Sequence, residues 1–272
     1  MLIKIAGYNY FYKDSGAGKE TILLLHGNPD SSDVWDDLIP LLSPNYRCIA
    51  PDLAGFGRSE IDRQVAFTLE SASAWVQTFI QALEIEGPVH LFVHDVGAFY
   101  GLAWAVEFPD QVRSICVLNT LFFSDYQWHF WGRVWRTPIL GELAMLFSPK
   151  SIFKRELKRG SPSLSDDFLE KTYAHISPKM NRTVLNMYRS MHPSVFKGWE
   201  DRYVALTQQK PIIVVWGDRD PYISLKYQYA ERMAQGQQVH HIANCGHWVA
   251  VEEPELLAKY WHSFIQQQLS TD

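Results

Sequence analysis

Short apolar runs recur along the chain, separated by longer stretches in which apolar residues return every three or four positions. Several runs are continuous rather than alternating, which is typical of strands in a parallel sheet covered by helices on both faces. The runs are Thr21–Leu25, Tyr46–Ala50, Val89–Val93, Arg113–Leu118 and Ile212–Trp216, with a weaker one at Val239–Ala243. The clearest helical patterns are Leu69–Leu83, Gly101–Phe108 and Pro254–Leu269. Strands that alternate with helices predict an α/β fold with a mostly parallel, doubly wound sheet.

The stretch from 121 to 205 breaks this rhythm. It begins with aromatic residues, continues with helix-like segments rich in Lys and Arg, and contains no clear strand. We therefore predict one core domain, formed by residues 1–120 and 206–272, with residues 121–205 inserted as a helical cap over the sheet. The basic cluster from Lys154 to Arg159 is expected to be a solvated helix face. At the start of the chain, residues 2–13 predict a hairpin.

Composition narrows the function classes. The 272 residues carry a formal net charge of −5, which argues against a nucleic-acid partner. No apolar run approaches the roughly 20 residues that a membrane span needs, and the first residues lack a signal-peptide pattern. The three cysteines are widely spaced, which indicates reduced thiols in a cytoplasmic protein. Only one Cys-x-His pair is present, so neither a metal nor another cofactor is expected.

The most informative residue is Asp95. It follows the apolar run Val89–Val93 and His94, and Gly97 with a helix-like segment comes directly after it. This is the layout of a nucleophile elbow, in which a strand, a sharp turn and a helix expose one side chain at the edge of a sheet. A carboxylate is already ionised at neutral pH. Its natural target is an sp³ carbon with a leaving group, which gives an ester that water then cleaves. The alternative is a loop aspartate that caps a helix.

Later segments supply possible partners for Asp95. Asp218 and Asp220 directly follow one predicted strand, and His247 lies in a Gly-His turn after the last one. An acid followed by a histidine, both after the nucleophile, is the chain order of α/β-hydrolases. In that arrangement His247 activates water, and Asp220 orients the imidazole. The alternative is a structural histidine with two solvated loop aspartates.

The loop after the first long strand adds a candidate oxyanion hole. In the segment His26–Pro29, the amide of Asn28 is the candidate donor, because Pro29 has no N–H. The second candidate is the amide of Val96, which directly follows Asp95 and begins a helix. The alternative is a plain turn, since Asn-Pro favours turns.

With these motifs, the chain resembles the α/β-hydrolases of the haloalkane dehalogenase and epoxide hydrolase group. Residues 26–32 and 47–59 are similar to dehalogenase segments, whereas residues 245–248 look more like an epoxide hydrolase. Both kinds of enzyme share the His-Asp-x-Gly elbow. The resemblance covers roughly residues 20–120 and 205–265, and the cap resembles the family less evenly.

The resemblance implies a role for each matching residue. It implies the α/β-hydrolase fold, with Asp95 as nucleophile, His247 as base and Asp220 as acid. Asp220 is preferred to Asp218 because the family's acid follows a Gly-x-x-Asp pattern. Asn119 occupies the place where some dehalogenases keep their acid, and an amide cannot serve in that role.

The two kinds of enzyme help different leaving groups. A halide leaves as a stable anion and needs only N–H donors. Dehalogenases commonly carry a Trp directly after the nucleophile, where this chain has Val96. Asn28 is present, and Trp128 or Trp131 of the cap is the candidate replacement for the missing donor.

An epoxide oxygen leaves as an alkoxide and needs a stronger donor. The resemblance to epoxide hydrolases implies two cap tyrosines for this task, and Tyr126 and Tyr188 lie in matching segments. His129 is a further candidate, because a cap histidine takes this role in some relatives. The alternative for each tyrosine is a packed aromatic ring with a locally satisfied hydroxyl.

We therefore predict a cofactor-independent hydrolase whose partners are a small apolar substrate and water. Epoxide opening to a diol is the first prediction, and conversion of an alkyl halide to an alcohol is the second. An esterase or lactonase ranks lower, because attack of a carboxylate on an acyl carbon gives an anhydride. A non-catalytic, ligand-binding relative is the remaining alternative. The sequence predicts no oligomeric state.

Overall fold

The architecture is a single twisted sheet of eight strands. It is seen in a computed structural model that describes residues 1–62, 64, 66–223 and 226–270. The strands are β1 (Leu2–Ile5), β2 (Tyr8–Asp14), β3 (Glu20–Leu25), β4 (Tyr46–Pro51), β5 (Val89–His94), β6 (Val112–Leu118), β7 (Ile212–Gly217) and β8 (Gln238–Ile242). Each predicted strand is present within a residue or two of its predicted ends, and residues 2–13 form the predicted hairpin.

The strand order is β1-β2-β4-β3-β5-β6-β7-β8. The hairpin is antiparallel and joins β4 in antiparallel pairing, whereas all pairs from β4 to β8 are parallel. Ligands of such sheets bind beyond the carboxyl ends of the strands. The segments that follow β3, β5, β6, β7 and β8 therefore meet at one edge, with the end of β5 near the middle.

Twelve α-helices are described. They are α1 (Ile39–Leu42), α2 (Leu69–Ala82), α3 (Gly97–Glu107), α4 (Phe130–Arg136), α5 (Leu140–Leu146), α6 (Lys150–Gly160), α7 (Asp166–Ala174), α8 (Pro178–Ser190), α9 (Trp199–Thr207), α10 (Lys226–Ala234), α11 (Val249–Glu252) and α12 (Pro254–Leu269).

Both faces of the sheet are buried, which explains the continuous apolar runs. All six residues of β5 and of β7 are buried. On one face, Leu91 and Val93 belong to a core that includes residues of α2 and α3. On the other face, Phe92 belongs to a core that includes Trp261 of α12. The sheet is therefore held on both sides, and its carboxyl edge is a rigid platform.

The helices between β6 and β7 form the inserted segment. We use the name cap for α4–α8, residues 130–190. The predicted boundary at residue 205 falls inside α9, and α9 packs against α3 of the core. Trp199, Tyr203 and Leu206 of α9 are buried in that packing. The described residues that line the cavity include none from α9, so the name cap does not extend to this helix.

Two further predictions from the sequence concern membrane spans and the cysteines. Within the described ranges, none of the helices is long and apolar enough to cross a membrane. Cys48, Cys116 and Cys245 are buried and form no disulfide.

Candidate active site

Asp95 lies in a sharp turn between β5 and α3. Its φ is +48°, a left-handed conformation that is uncommon for a residue with a side chain. The turn is crowded: a Cβ on Gly97 would lie 2.3 Å from the backbone oxygen of Leu25. The Thr120 hydroxyl donates to the Asp95 carbonyl at 2.6 Å, which fixes the turn from β6. Helix α3 begins at Gly97, four residues earlier than predicted, so Asp95 faces the start of a helix.

His247 lies between two carboxylates. Its Nδ1 is 2.7 Å from Oδ2 of Asp220, and its Nε2 is 3.6 Å from Oδ2 of Asp95. The structure therefore brings the three predicted catalytic residues together in the predicted order. Asp220 and His247 are buried, whereas the Asp95 side chain keeps 20% of its surface exposed. Asp95 is thus the member of the set that can meet a substrate.

Asp220 is held by groups that fix its direction. Its Oδ2 accepts from Nδ2 of Asn119 at 2.8 Å, and its Oδ1 accepts from the Tyr222 amide at 2.7 Å. Asn119 itself exchanges hydrogen bonds with both backbone groups of Gly217. Asp218 points elsewhere and pairs with His241 at 2.8 Å. The geometry accordingly places Asp220, and not Asp218, next to the imidazole of His247.

Charges in this cluster shift one another's pKa values. Burial alone would raise the pKa of Asp95, but the hydrogen bond and charge of His247 outweigh it and lower that pKa to about 2. Burial would lower the pKa of His247, but the charges of Asp220 and Asp95 raise it above its usual range. The free site thus holds an ionised Asp95 beside a His247 imidazole that is protonated on both ring nitrogens.

The loop from β3 reaches Asp95. The Asn28 amide donates to Oδ1 of Asp95 at 2.8 Å, across a loop whose Asn28–Pro29 bond is cis. His26 is buried, and its Nε2 accepts from the Leu53 amide at 2.9 Å, which ties the loop to the segment after β4. Val96, the second predicted oxyanion donor, is the N-cap residue of α3. The amide of Asn28 therefore lies where an ester carbonyl oxygen on Asp95 would form.

All four predicted leaving-group residues, Tyr126 among them, line a pocket together with Asp95. Tyr188 lies in α8, and Trp128 and His129 lie before α4. Burial, followed by the charge of Asp95, raises the pKa of Tyr188, so its hydroxyl remains protonated. Burial lowers the pKa of His129 to about 4, so the imidazole is neutral. Its Nδ1 accepts from the Gly132 amide at 3.3 Å, which directs Nε2–H away from the helix start.

Tyr126 lines the same pocket, but its hydroxyl has a backbone partner. Its hydroxyl donates to the backbone oxygen of Tyr222 at 3.0 Å, and the side chain is buried. In this arrangement its one O–H proton is directed to a backbone carbonyl, so donation to a leaving group would require the hydroxyl to rotate. The ring instead packs edge-on against Trp128, with 5.2 Å between ring centroids. The structure thus favours the alternative reading, a packed aromatic residue that supports the cap.

Sequence reasoning missed three residues around the triad. The Tyr222 ring lies 5.1 Å from the His247 ring, and its hydroxyl donates to the Glu156 carbonyl at 3.0 Å. His94 Nε2 is 2.9 Å from the His247 carbonyl, and burial lowers its pKa to about 3. Asp30 is buried and accepts from the Trp248 indole at 2.9 Å; burial raises its pKa to about 7. The sequence signal that could have found them is their proximity in the chain. Tyr222 is two residues from Asp220, His94 precedes Asp95, and Asp30 is two residues from Asn28.

The cavity above Asp95 is mostly apolar. It has a volume of about 120 Å³ and extends from Asp95 and His247 past Trp131 and Trp135 to Met145 and Ile152. An apolar cavity of about 150 Å³ is enough for a benzene-sized ligand. The arrangement thus presents an ionised carboxylate to a small apolar molecule, with hydroxyl and imidazole groups opposite.

Similarity to known proteins agrees with this geometry. The chain is 35% identical over 145 residues to a cis-3-alkyl-4-alkyloxetan-2-one decarboxylase of Xanthomonas campestris, and the match covers 48% of this chain and 47% of that protein. It is 29% identical over 191 residues to a haloalkane dehalogenase of Mesorhizobium japonicum, covering 66% of this chain and 60% of the relative. The chain thus spans about half the length of the curated relatives that it matches at 35% identity.

Solved structures share the fold. A loop variant of a haloalkane dehalogenase from Bradyrhizobium elkanii superimposes with a TM-score of 0.81 at 21% identity, over 100% of this chain and 98% of that one. The family model for the alpha/beta hydrolase fold matches residues 20–254. The chain therefore belongs to the α/β-hydrolase family.

Proposed function

We propose that the chain hydrolyses a small apolar substrate through a covalent ester on Asp95. Its support is the joint position of Asp95, His247 and Asp220 at the carboxyl edge of the sheet, with the Asn28 amide 2.8 Å from Oδ1 of Asp95. In serine hydrolases, the histidine removes a proton from the nucleophile. A carboxylate ionised with a pKa of about 2 needs no such help. The histidine is therefore available for the second step.

In the first step, an oxygen of Asp95 attacks an sp³ carbon of the substrate. A carbon–oxygen bond forms, the bond from that carbon to the leaving group breaks, and the leaving group takes the bonding electrons. In the second step, water attacks the ester carbonyl carbon while His247 takes a proton from it. The Asn28 and Val96 amides hold the transient oxyanion. Collapse releases the alcohol and restores the carboxylate of Asp95.

Ester formation also prepares the base. In the free site, the charge of Asp95 is one of the causes that raise the pKa of His247. The ester is neutral, so this cause disappears when the intermediate forms, whereas the charge of Asp220 remains. The pKa of His247 consequently falls in the intermediate, and the imidazole can lose its proton and act as a base. Charge neutralisation thus couples the two steps.

Among substrates, an epoxide agrees best with the groups opposite Asp95. The carrying observation is that Tyr188 and neutral His129 line the same pocket as Asp95. An alkoxide leaving group needs a proton or a strong hydrogen bond, and a protonated phenol with an imidazole N–H provides both. The residue after Asp95 is the apolar, buried Val96, which offers no side-chain N–H to a halide. The similarity to a protein named for a strained oxygen ring is consistent with this choice.

One observation favours an alkyl halide as the second candidate. The Trp128 Nε1 atom is buried and has no hydrogen-bond partner within the described part of the chain. Trp128 shares the pocket with Asp95, so its indole N–H is an available donor for a leaving halide. This donor would replace the one that Val96 does not supply.

The proposal is tested by a single turnover in H₂¹⁸O with enzyme in excess, for an epoxide and for a haloalkane. In a two-step reaction through Asp95, the oxygen added to the first product comes from the carboxylate. The product should be unlabelled, and the Asp95 peptide should gain one ¹⁸O. A labelled product with an unlabelled peptide would show direct attack by water and overturn the proposal. The Asp95→Asn variant is the matched control and should give neither product nor label.

A further inference from the structure

Large apolar side chains are exposed in one internal region of the described chain. Nine such residues are highly exposed, and three of them, Met1, Leu2 and Leu269, lie at the chain termini. The other six lie between residues 130 and 147, and we call them the apolar cap face: Phe130, Ile139, Leu140, Leu143, Leu146 and Phe147. Leu146 and Phe147 are 74% and 71% exposed. Isolated exposed apolar residues are common, but a contiguous group indicates an interaction surface.

The helices that carry this face are apolar on two sides. Trp131 and Trp135 of α4 and Met145 of α5 line the cavity above Asp95. Phe130, Leu143 and Leu146 of the same two helices point to the outside. A helix at a water-facing surface normally has a polar outer side. Helices α4 and α5 therefore carry apolar side chains both towards the cavity and towards the outside, as expected for helices that contact an apolar environment on both sides.

The connection between the two helices is strained in a way that increases this exposure. Ile139 has φ +68°, a conformation that is unfavourable for a β-branched residue. Its side chain is 74% exposed, so burial within the chain does not compensate for the strain. Backbone strain of this kind concentrates at functional sites.

Charge identifies the kind of partner. Residues 130–160 contain seven Lys and Arg against two Asp and Glu, whereas the rest of the chain contains 18 against 28. This segment therefore has a net charge of +5 in a chain whose remainder has −10. In α6, Lys150 and Lys154 pair with Glu170, Lys158 pairs with Asp166 and Arg159 pairs with Glu156. Arg133 and Arg155 are exposed and have no ion pair among the described residues, so they are the cations most available to a partner. Apolar side chains next to cations are the combination that binds anionic lipid headgroups.

We infer that the apolar cap face docks on an anionic lipid surface. Leu146 and Phe147 enter the acyl boundary, while the basic residues of α4 and α6 contact phosphate headgroups. A symmetric contact between two copies through this face would place like charges opposite one another. Met145 and Ser148 line the cavity and directly flank Leu146 and Phe147 in the chain. An apolar molecule dissolved in the bilayer would thus reach the cavity without crossing water. This last step alone depends on the proposed function.

The test is flotation of the full chain with vesicles of phosphatidylglycerol and with vesicles of phosphatidylcholine. We expect the floated fraction to be about tenfold larger with the anionic vesicles and to fall in high salt. The double variant Leu146→Asp/Phe147→Asp should lose most of this binding, and Arg133→Glu/Arg155→Glu should lose the preference for anionic lipid. Leu269→Asp is the matched control, since Leu269 is 73% exposed but lies at the end of α12. Its binding should equal that of the wild type.

Equal, low flotation with both vesicle types would overturn the inference. It would also be overturned if the wild type were a dimer in solution and Leu146→Asp/Phe147→Asp made it monomeric without changing flotation, because a second copy would then cover the face. Neither the flotation measurement nor the measurement of oligomeric state requires a substrate. Asp95→Asn should float like the wild type, so failure of lipid binding and failure of the proposed reaction are distinguished.

Discussion

Asp220 at the sheet edge and Trp128 in the cap differ in how completely their polar atoms are paired. Asp220 has partners on both oxygens, from His247, Asn119 and the Tyr222 amide. The Trp128 indole N–H has none among the residues that the structure describes. Paired groups on a rigid sheet hold a fixed geometry, whereas an unpaired buried donor is available to a ligand. In the proposed mechanism, the sheet edge therefore carries out the reaction, and the residues opposite Asp95 select the leaving group.

The largest effect should come from the sheet edge. Asp220→Asn removes the charge that orients His247 and stabilises its protonated form, so kcat should fall about 10³–10⁴-fold. Ester formation should be much less affected than ester cleavage, because Asp95 needs no base. Rapid-quench measurement of the two steps checks this. An equal loss in both steps would show that Asp220 acts on the site as a whole. It would contradict a role for Asp220 that is specific to ester cleavage.

A smaller and substrate-dependent effect is expected in the cap. If an epoxide is the substrate, Tyr188→Phe should lower kcat/KM about 10²-fold, because the hydroxyl no longer assists the departing oxygen. If a haloalkane is the substrate, Trp128→Phe should lower kcat/KM more than Tyr188→Phe does. Tyr126→Phe is the matched control, since its hydroxyl donates to the Tyr222 carbonyl, and its activity should change little. A large loss in Tyr126→Phe would restore the original prediction for that residue.

The two chemical steps should also differ in pH dependence. The pKa of Asp95 is lowered to about 2, so the rate of ester formation should not change between about pH 4 and 8. Cleavage needs neutral His247, so its rate should rise with pH up to the pKa of His247 in the ester. Below that pKa, the slope should be about tenfold per pH unit. Pre-steady-state kinetics across this range measures both; a pH-independent cleavage step would contradict the role of His247.

The smallest effect concerns Asp30, which is buried beside Trp248. Its pKa is raised to about 7 by burial, so the folded state binds a proton that the unfolded state has already released. Stability therefore falls as the pH rises from about 4 to 7. Asp30→Asn should remove this loss, and its Tm should exceed that of the wild type by a few degrees at pH 8 but not at pH 4. Equal shifts at both pH values would mean that ionisation is not the cause.

The sequence was sufficient for the parts of the molecule that depend on local order. The joint position of Asp95, Asp220 and His247 could be predicted because each lies in the segment that follows a strand, and parallel strands bring their carboxyl ends to one edge. The hydroxyl of Tyr126 could not be placed, because its acceptor is the carbonyl of Tyr222 in a distant segment. The same holds for α9, because its packing against α3 joins segments that are distant in the chain.

Groups whose role depends on burial were also missed. Asp30 follows the Asn-Pro pair and looked like a turn residue, but the fold encloses it beside Trp248. The charge of residues 130–160 was visible in the sequence. Its meaning depends on which apolar side chains of α4 and α5 remain outside, and only the packing of the helices decides this.

The most direct test of the central claim is intact-protein mass spectrometry of His247→Phe after incubation with epoxides, haloalkanes and oxetanones. Without its base, the enzyme should stall as the Asp95 ester and gain the full mass of an epoxide, or the mass of a haloalkane minus HX. The adduct should map to the peptide that contains Asp95 and be absent from His247→Phe/Asp95→Asn. A folded His247→Phe protein that gives no adduct while the wild type turns over the same compound would contradict the covalent mechanism.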